Sequence, residues 1–118
     1  DYNVRDGKRA GAFSHSCVPS VHPYILMNFT GKIRDVTTLA HELGHGIHQY
    51  LSRKNGYFQQ NTPLTTAETA SVFAEMLVFN KLLSELNSPK QKLCFSFRNS
   101  RSRISKSWCK KYFYDKQN

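Results

Sequence analysis

A chain of 118 residues, 39% of them hydrophobic, holds one domain at most and a modest apolar core. No apolar run approaches a membrane span and no charged-then-apolar leader stands at the start, so nothing points to insertion or secretion. The net charge of +9 is uneven: residues 1–89 carry eight Lys/Arg against seven Asp/Glu, and residues 90–118 carry nine against Asp115 alone. Cys17, Cys94 and Cys109 are odd in number with no C-x-x-C pair. They read as free thiols of a reducing compartment, which favours the cytoplasm. The first residue is Asp1 rather than Met, so the chain is expected to be a piece of something longer.

Residues 1–11 are polar, contain Gly7 and Gly11, and read as a loop. Ala12-Phe13-Ser14 can begin a short strand, and the stretch through His22-Pro23 reads as a turn region. Tyr24-Ile25-Leu26-Met27-Asn28-Phe29 is a short apolar, aromatic-rich run closed by Thr30-Gly31, the signature of a second strand. The two are expected to form a small antiparallel pair. Its edge can bind an extended peptide through main-chain hydrogen bonds, although an ordinary core hairpin accounts for the pattern equally well. His15 and His22 read as surface or structural residues.

A helix is expected from Asp35, placed as its N-cap, to about Ser52, with Val36, Leu39, Ala40, Leu43, Ile47 and Leu51 at helical spacing. Gly44 and Gly46 weaken it and so signal close approach of something to the backbone. Inside it stands His41-Glu42-Leu43-Gly44-His45. Residues four apart share a helix face, so the two imidazoles can converge on one ion. They suit Zn²⁺, which takes nitrogen ligands at about 2.0–2.1 Å and needs a third protein group plus water. Glu42, one residue round from His41, is placed to accept a proton from a metal-activated water, the zincin arrangement. The pattern leaves two positions free and also arises by chance; a packed, hydrogen-bonded His pair is the plain alternative. His48 continues the stripe but lies about 10 Å along the axis from His41, too far to share that ion, and reads as a packing or supporting residue. A metzincin pattern fails, because His48 and Leu51 stand where Gly and His are required.

Residues 53–64 read as a polar connector whose aromatics, Tyr57 and Phe58, anchor the loop or touch substrate. A second helix is expected from Thr65/Thr66 to about Leu86, well buried through Val72, Phe73, Met76, Leu77, Phe79, Leu82 and Leu83. Glu68 and Glu75, seven apart, fall on one side of it, and carboxylates on so apolar a helix need a partner or a metal. Thr65-x-x-Glu68 also fits a capping box. Read functionally, Glu68 is the third zinc ligand and Glu75 hydrogen-bonds a ligand histidine from behind. Asp35 and His48 complete the expected supporting set.

Lys8-Arg-Ala-Gly-Ala-Phe-Ser14, Pro23-Tyr-Ile-Leu26, Asn28-Phe-Thr-Gly31, Asp35-Val-Thr-Thr-Leu-Ala-His-Glu-Leu-Gly-His45 and Ala67-Glu-Thr-Ala-Ser-Val-Phe-Ala-Glu-Met-Leu-Val-Phe79 together resemble oligoendopeptidase F. That is the bacterial branch of the thimet-oligopeptidase-like zinc peptidases. The resemblance covers about residues 5–86. It implies one Zn²⁺ per chain held by His41, His45 and Glu68, with Glu42 as general base. It implies that Gly11, Ala12 and Phe13 lie along the substrate cleft, and that the whole enzyme is cytoplasmic, largely helical and selective for short peptides. The expected fold class is therefore mainly α with a small antiparallel β pair. A zincin-type helix and a second ligand-bearing helix would form one fragment of a larger helical peptidase.

Family enzymes are several times longer, and a downstream segment supplies His and Tyr groups that stabilise the oxyanion. Losing one such donor typically costs about 10²–10³ in kcat, so weak or no activity is expected of this chain alone. The expected partners are short peptides and the remainder of the enzyme, with no membrane. Residues 1–92 are read as a partial catalytic core. The resemblance stops near Lys92-Leu93, and residues 93–118, without helical or strand period, are read as a disordered basic tail left by a frameshift or gene break. Two alternatives stand beside the enzyme: a non-catalytic remnant of a broken gene, and a nucleic-acid-binding tail. In the latter, Arg98, Arg101, Arg103, Lys106, Lys110 and Lys111 interleave with Phe95, Phe97, Trp108, Tyr112 and Tyr114. No nucleic-acid-binding motif is complete there, which disfavours it.

Overall fold

The computed structural model describes residues 1–99; residues 100–118, and with them most of the basic tail and its proposed disorder or nucleic-acid role, lie outside the described part. In chain order the elements are β1 (Phe13–His15), β2 (Tyr24–Leu26), α1 (Ile33–Ser52), a 3₁₀ turn (Arg53–Asn55), α2 (Leu64–Glu85) and α3 (Pro89–Asn99). The fold is mainly α with a small antiparallel β pair, as the patterning predicts. Two compact units divide the chain, Asp1–Phe79 and Asn80–Asn118, and the first contains the candidate site. Among the described residues no helix is long and apolar enough to cross a membrane.

β1 and β2 pair antiparallel, with Phe13 opposite Leu26, Ser14 opposite Ile25 and His15 opposite Tyr24. Ser14 clasps α1: its hydroxyl donates to Gln49 Oε1 at 2.8 Å, and Gln49 Nε2 donates back to its carbonyl at 3.4 Å. Lys8 fastens the N-terminal loop behind the strands, its ammonium donating to Met27 O at 2.6 Å and Asn3 O at 2.8 Å. His15 and His22 are exposed, as expected.

The entry to α1 corrects one expectation. The helix begins at Ile33 with Lys32 as N-cap, so Asp35 is its third residue rather than its cap. From there the carboxylate reaches back, accepting from the Thr30 N–H and hydroxyl, both at 2.7 Å, and from the Lys32 N–H at 3.2 Å. This is the acidic half of a capping box, set at the positive end of the helix. It also assigns Asp35 to the helix start, away from the histidines. The bonds, the Thr30 hydroxyl first among them, hold the carboxyl below its ordinary value of 3.8. A lowered folded-state pKa gives stability that is present above the unfolded value and lost as pH falls through the folded one. Asp35→Asn is therefore expected to melt earlier than wild type at neutral pH, the gap closing below about pH 4. Thermal melts across pH 3–7 check this, and a gap independent of pH would count against it.

Two glycines set how closely α1 is approached. A Cβ at Gly44 would stand 2.7 Å from both Ala70 O and Ser71 Cα, so α2 crosses α1 there backbone to backbone. A Cβ at Gly46 would stand 3.3 Å from Ile25 Cδ1, which marks the strand side. The stripe of α2 at this crossing is small: Ala70, Ser71 and Ala74.

Several expectations about packing are corrected. α2 is not well buried: Ser71 is its one buried residue among those described, and Val72, Phe73, Met76 and Leu77 are all about half exposed or more. At about 3.6 residues per turn Val72 and Met76 lie opposite the Ala70/Ser71/Ala74 stripe, while Phe73 and Leu77 flank it without being covered. Met27 and Ala40 are the only buried hydrophobic residues described, a smaller core than the composition suggests. Tyr57 and Phe58 anchor nothing; they meet edge to face and Phe58 is 93% exposed. Thr65 caps nothing either, because α2 already begins at Leu64, and Pro63 O receives the Thr66 and Ala67 N–H groups. In the second unit, α3 carries helix through Cys94 to Asn99, where no period is legible. Its start signal, Pro89 at the first helical position, lies upstream of the stretch read as tail. Finally, Cys17 is a free thiol as expected but Cys94 is disulfide-bonded, since proximity in space is not readable from cysteine spacing. The thiol argument for a reducing compartment loses its ground.

Candidate metal centre

His41 and His45 lie one turn apart on α1, on the seam between the side that meets α2 and the side that meets β1. That places both imidazoles within reach of Glu68, which α2 brings in at the Gly44 crossing. His41 Nε2 and His45 Nε2 are 3.1 Å apart. Glu68 Oε2 is 3.5 Å from the first and Glu68 Oε1 is 3.7 Å from the second. Three ligand atoms, one from each residue, all lie within 4.8 Å of one another. Tetrahedral ligands at about 2.0–2.1 Å from an ion stand roughly 3.3–3.4 Å apart, so the set has the size of a metal site. Two imidazole nitrogens and a carboxylate are also a donor set that Zn²⁺ accepts. The three side chains are part-exposed, Glu68 the most at 46%, which leaves a side open to water and ligand.

Behind the candidate ligands stand groups placed to orient them. His41 Nδ1–H donates to Glu75 Oε1 at 2.5 Å, which leaves the His41 Nε2 lone pair facing Glu68 and His45. Glu75→Gln is expected to bind zinc about 10–100-fold more weakly, because such outer partners typically carry that much affinity. Competition against a chelating dye measures it, and an unchanged affinity would remove Glu75 from the site. Ser71, fully buried at the crossing, donates to Glu68 O at 2.9 Å and has Glu68 Oε2 at 3.1 Å. Nothing in the sequence singled out Ser71, though a hydroxyl three residues after a candidate ligand is the available signal.

Glu42 is buried at 7% exposure beside the pair. Burial pushes its carboxyl above the usual range; the nearby His41 and His45 pull it down, Glu68 raises it, and a hydrogen bond from the Ser14 N–H lowers it. The strand therefore touches the candidate base directly, through a residue next to Phe13. Gly11 and Ala12 run into β1 just before, Gly11 with a φ of 100° that favours glycine. The Ser14–Gln49 clasp was not legible in the sequence, because only the fold sets those residues side by side. His48 is half-buried one turn beyond His45 and lines a small cavity with it rather than joining the ligand set.

The sequence profile described as Peptidase family M3 matches residues 1–113, running past Lys92-Leu93 where the motif resemblance stops. Oligopeptidase PepF of Bacillus subtilis (strain 168) is 41% identical over 94 residues, covering 79% of this chain and 14% of that protein. An oligoendopeptidase F homolog of Borreliella burgdorferi is 46% identical over 79 residues, 65% of this chain and 13% of that one. A crystal structure assigned as a peptidase, from Chlamydophila abortus, matches with a TM-score of 0.68 at 40% identity, covering 80% of this chain and 16% of that chain. The chain thus spans about one seventh of the length of the curated relatives it matches. With the family profile covering nearly all of its length, this chain belongs to Peptidase family M3.

Proposed function

We propose that residues 1–92 carry the zinc core of a metalloendopeptidase that hydrolyses peptide bonds in short peptides. The observation that supports it most directly is the His41–His45–Glu68 set at metal-ligand spacing, with a buried carboxylate, Glu42, beside it. A bound zinc would supply a Lewis acid that acidifies a water and polarises the peptide carbonyl. His41, His45 and Glu68 would hold it, and Glu75 would keep the His41 lone pair directed inward. Glu42 would take the water's proton and return it to the departing amine, its burial raising its basicity for that task. The names of the relatives, oligopeptidase and oligoendopeptidase, support oligopeptides as the substrate class.

The test is hydrolysis of a quenched fluorescent peptide by the zinc-loaded chain beside Glu42→Gln. The variant is expected to keep its zinc and lose about 10²–10⁴-fold in rate. Equal rates in the two proteins would remove Glu42 as the base. Zinc-loaded wild type without chelator-sensitive hydrolysis would confine the reading to a metal-binding core.

A further inference from the structure

Glu42, Gly46 and Gln49 fall at helical spacing on α1 and share the face that meets β1. Ser14, the middle residue of β1, lies over this stripe. A Cβ at Gly46 would stand 3.6 Å from the Ser14 Oγ, so the glycine forms the floor on which the serine sits. Half-buried Gln49 grips Ser14 at two points: its Oε1 accepts from the hydroxyl at 2.8 Å, and its Nε2 donates to the carbonyl at 3.4 Å. The carbonyl fixes which end of the amide faces it, since only the nitrogen can donate. Within a strand, the N–H and C=O of one residue point to the same side. With the Ser14 carbonyl turned to Gln49, its N–H is turned to α1 as well, and there it hydrogen-bonds the Glu42 carboxylate. Besides Glu42, Gln49 is the one residue of α1 that hydrogen-bonds β1 among the described residues. β1 has three residues and one paired strand, a ladder too small to hold its place unaided.

We propose that Gln49 is a positioning residue for the candidate base: pinning Ser14 by its hydroxyl and its carbonyl, it holds the Ser14 N–H on the Glu42 carboxylate. The role given to Glu42 rests on the peptidase reading above; the contact does not. A base that takes a proton from one direction works from one rotamer, and a buried carboxylate fastened by a backbone N–H keeps that rotamer. A neutral amide suits the clasp. It supplies an acceptor for the hydroxyl and a donor for the carbonyl without setting a second charge beside Glu42. Methionine at this position would fill similar space and hold neither group.

Amide hydrogen exchange of the full chain, resolved in ¹H–¹⁵N spectra, tests the contact without zinc or substrate. In the wild type the Ser14 amide is expected to be protected. Its proton moves upfield in Glu42→Gln, whose neutral oxygen accepts more weakly than a carboxylate. Gln49→Met is expected to speed Ser14 exchange about tenfold, while Phe13 and His15, which pair with Leu26 and Tyr24, exchange as before. Gln49→Glu keeps an acceptor for the Ser14 hydroxyl but loses the donor for its carbonyl, and falls between the two. In the zinc-loaded protein, Gln49→Met lowers kcat on the quenched peptide about tenfold and leaves KM and zinc content unchanged. A Ser14 amide indifferent to Glu42→Gln overturns the proposal, and so does one indifferent to Gln49→Met. Equal quickening at Phe13, Ser14 and His15 also overturns it, because Gln49 then merely supports the strand pair. An unaltered kcat overturns the positioning role even where Ser14 responds. Zinc-loaded wild type that hydrolyses nothing sinks the peptidase reading instead, and the exchange data tell the two failures apart.

Discussion

Metal analysis after dialysis is expected to find about one zinc per wild-type chain and almost none in Glu68→Ala. The argument is one of ligand count. His41 and His45 are 3.1 Å apart and offer two neutral nitrogens, which is one ligand short of a protein zinc site. On this reading Glu68 would supply the third, and the one carboxylate ligand, from 3.5 and 3.7 Å of the two nitrogens. Removing it leaves a part-exposed imidazole pair that competes poorly with water. Helix content should be unchanged, because the Glu68 side chain bonds only to Ser71 besides the histidines. Zinc retained at full stoichiometry in Glu68→Ala would sink the assignment of the third ligand. No zinc in either protein would mean that this chain keeps the motif without a working site.

The second large effect is expected at Gly44. Gly44→Ala should destabilise by about 1–3 kcal/mol, the usual cost of overpacking, despite the gain of about 1 kcal/mol that alanine brings to a helix interior. The atoms in the way, Ala70 O and Ser71 Cα at 2.7 Å, are backbone and cannot rotate aside. The helices must separate, and because α2 carries Glu68 and Glu75, zinc affinity should fall with stability. Gly46→Ala is the control. Its Cβ meets the far end of the Ile25 side chain at 3.3 Å, which can yield, so the change should be neutral or stabilising by up to about 1 kcal/mol. Melting curves and zinc titrations of both variants decide the matter. Equal behaviour of the two would mean that the crossing at Gly44 is looser than these distances imply.

Most of the local structure was written in the sequence. The period of Val36, Leu39, Ala40 and Leu43 gives α1, and the apolar run ending at Thr30-Gly31 gives β2. Spacing of four in His41 and His45 fixes a shared helix face whatever surrounds it. The two glycines inside α1 were equally informative, since a helix tolerates their cost only where another backbone or strand must come close. Where the sequence misled, it did so over what covers what. The apolar residues of α2 read as a buried face, yet the side that meets α1 is the small one, and Val72, Phe73, Met76 and Leu77 stay exposed. Hydrophobicity tells that a surface can be buried, not that a neighbour is present to bury it.

By itself, then, the sequence determined the candidate ligand types, their order, the carboxylate beside them and the helices that carry them, because these follow from short-range periodicity and side-chain chemistry. Only the tertiary structure decided that Glu68 faces both histidines, that Glu75 backs His41, and that Ser71 and the Ser14–Gln49 clasp hold the pieces in place. It alone also set Gln60, 15 residues after His45, against the same small cavity. Contacts between residues 20 to 35 apart in sequence, such as Glu68 with His45 and Ser14 with Gln49, depend on how two helices cross and how a strand lies against one of them. That geometry is fixed by backbone approach at Gly44 and by the strand side chains that reach Gly46, and no local pattern encodes the partner.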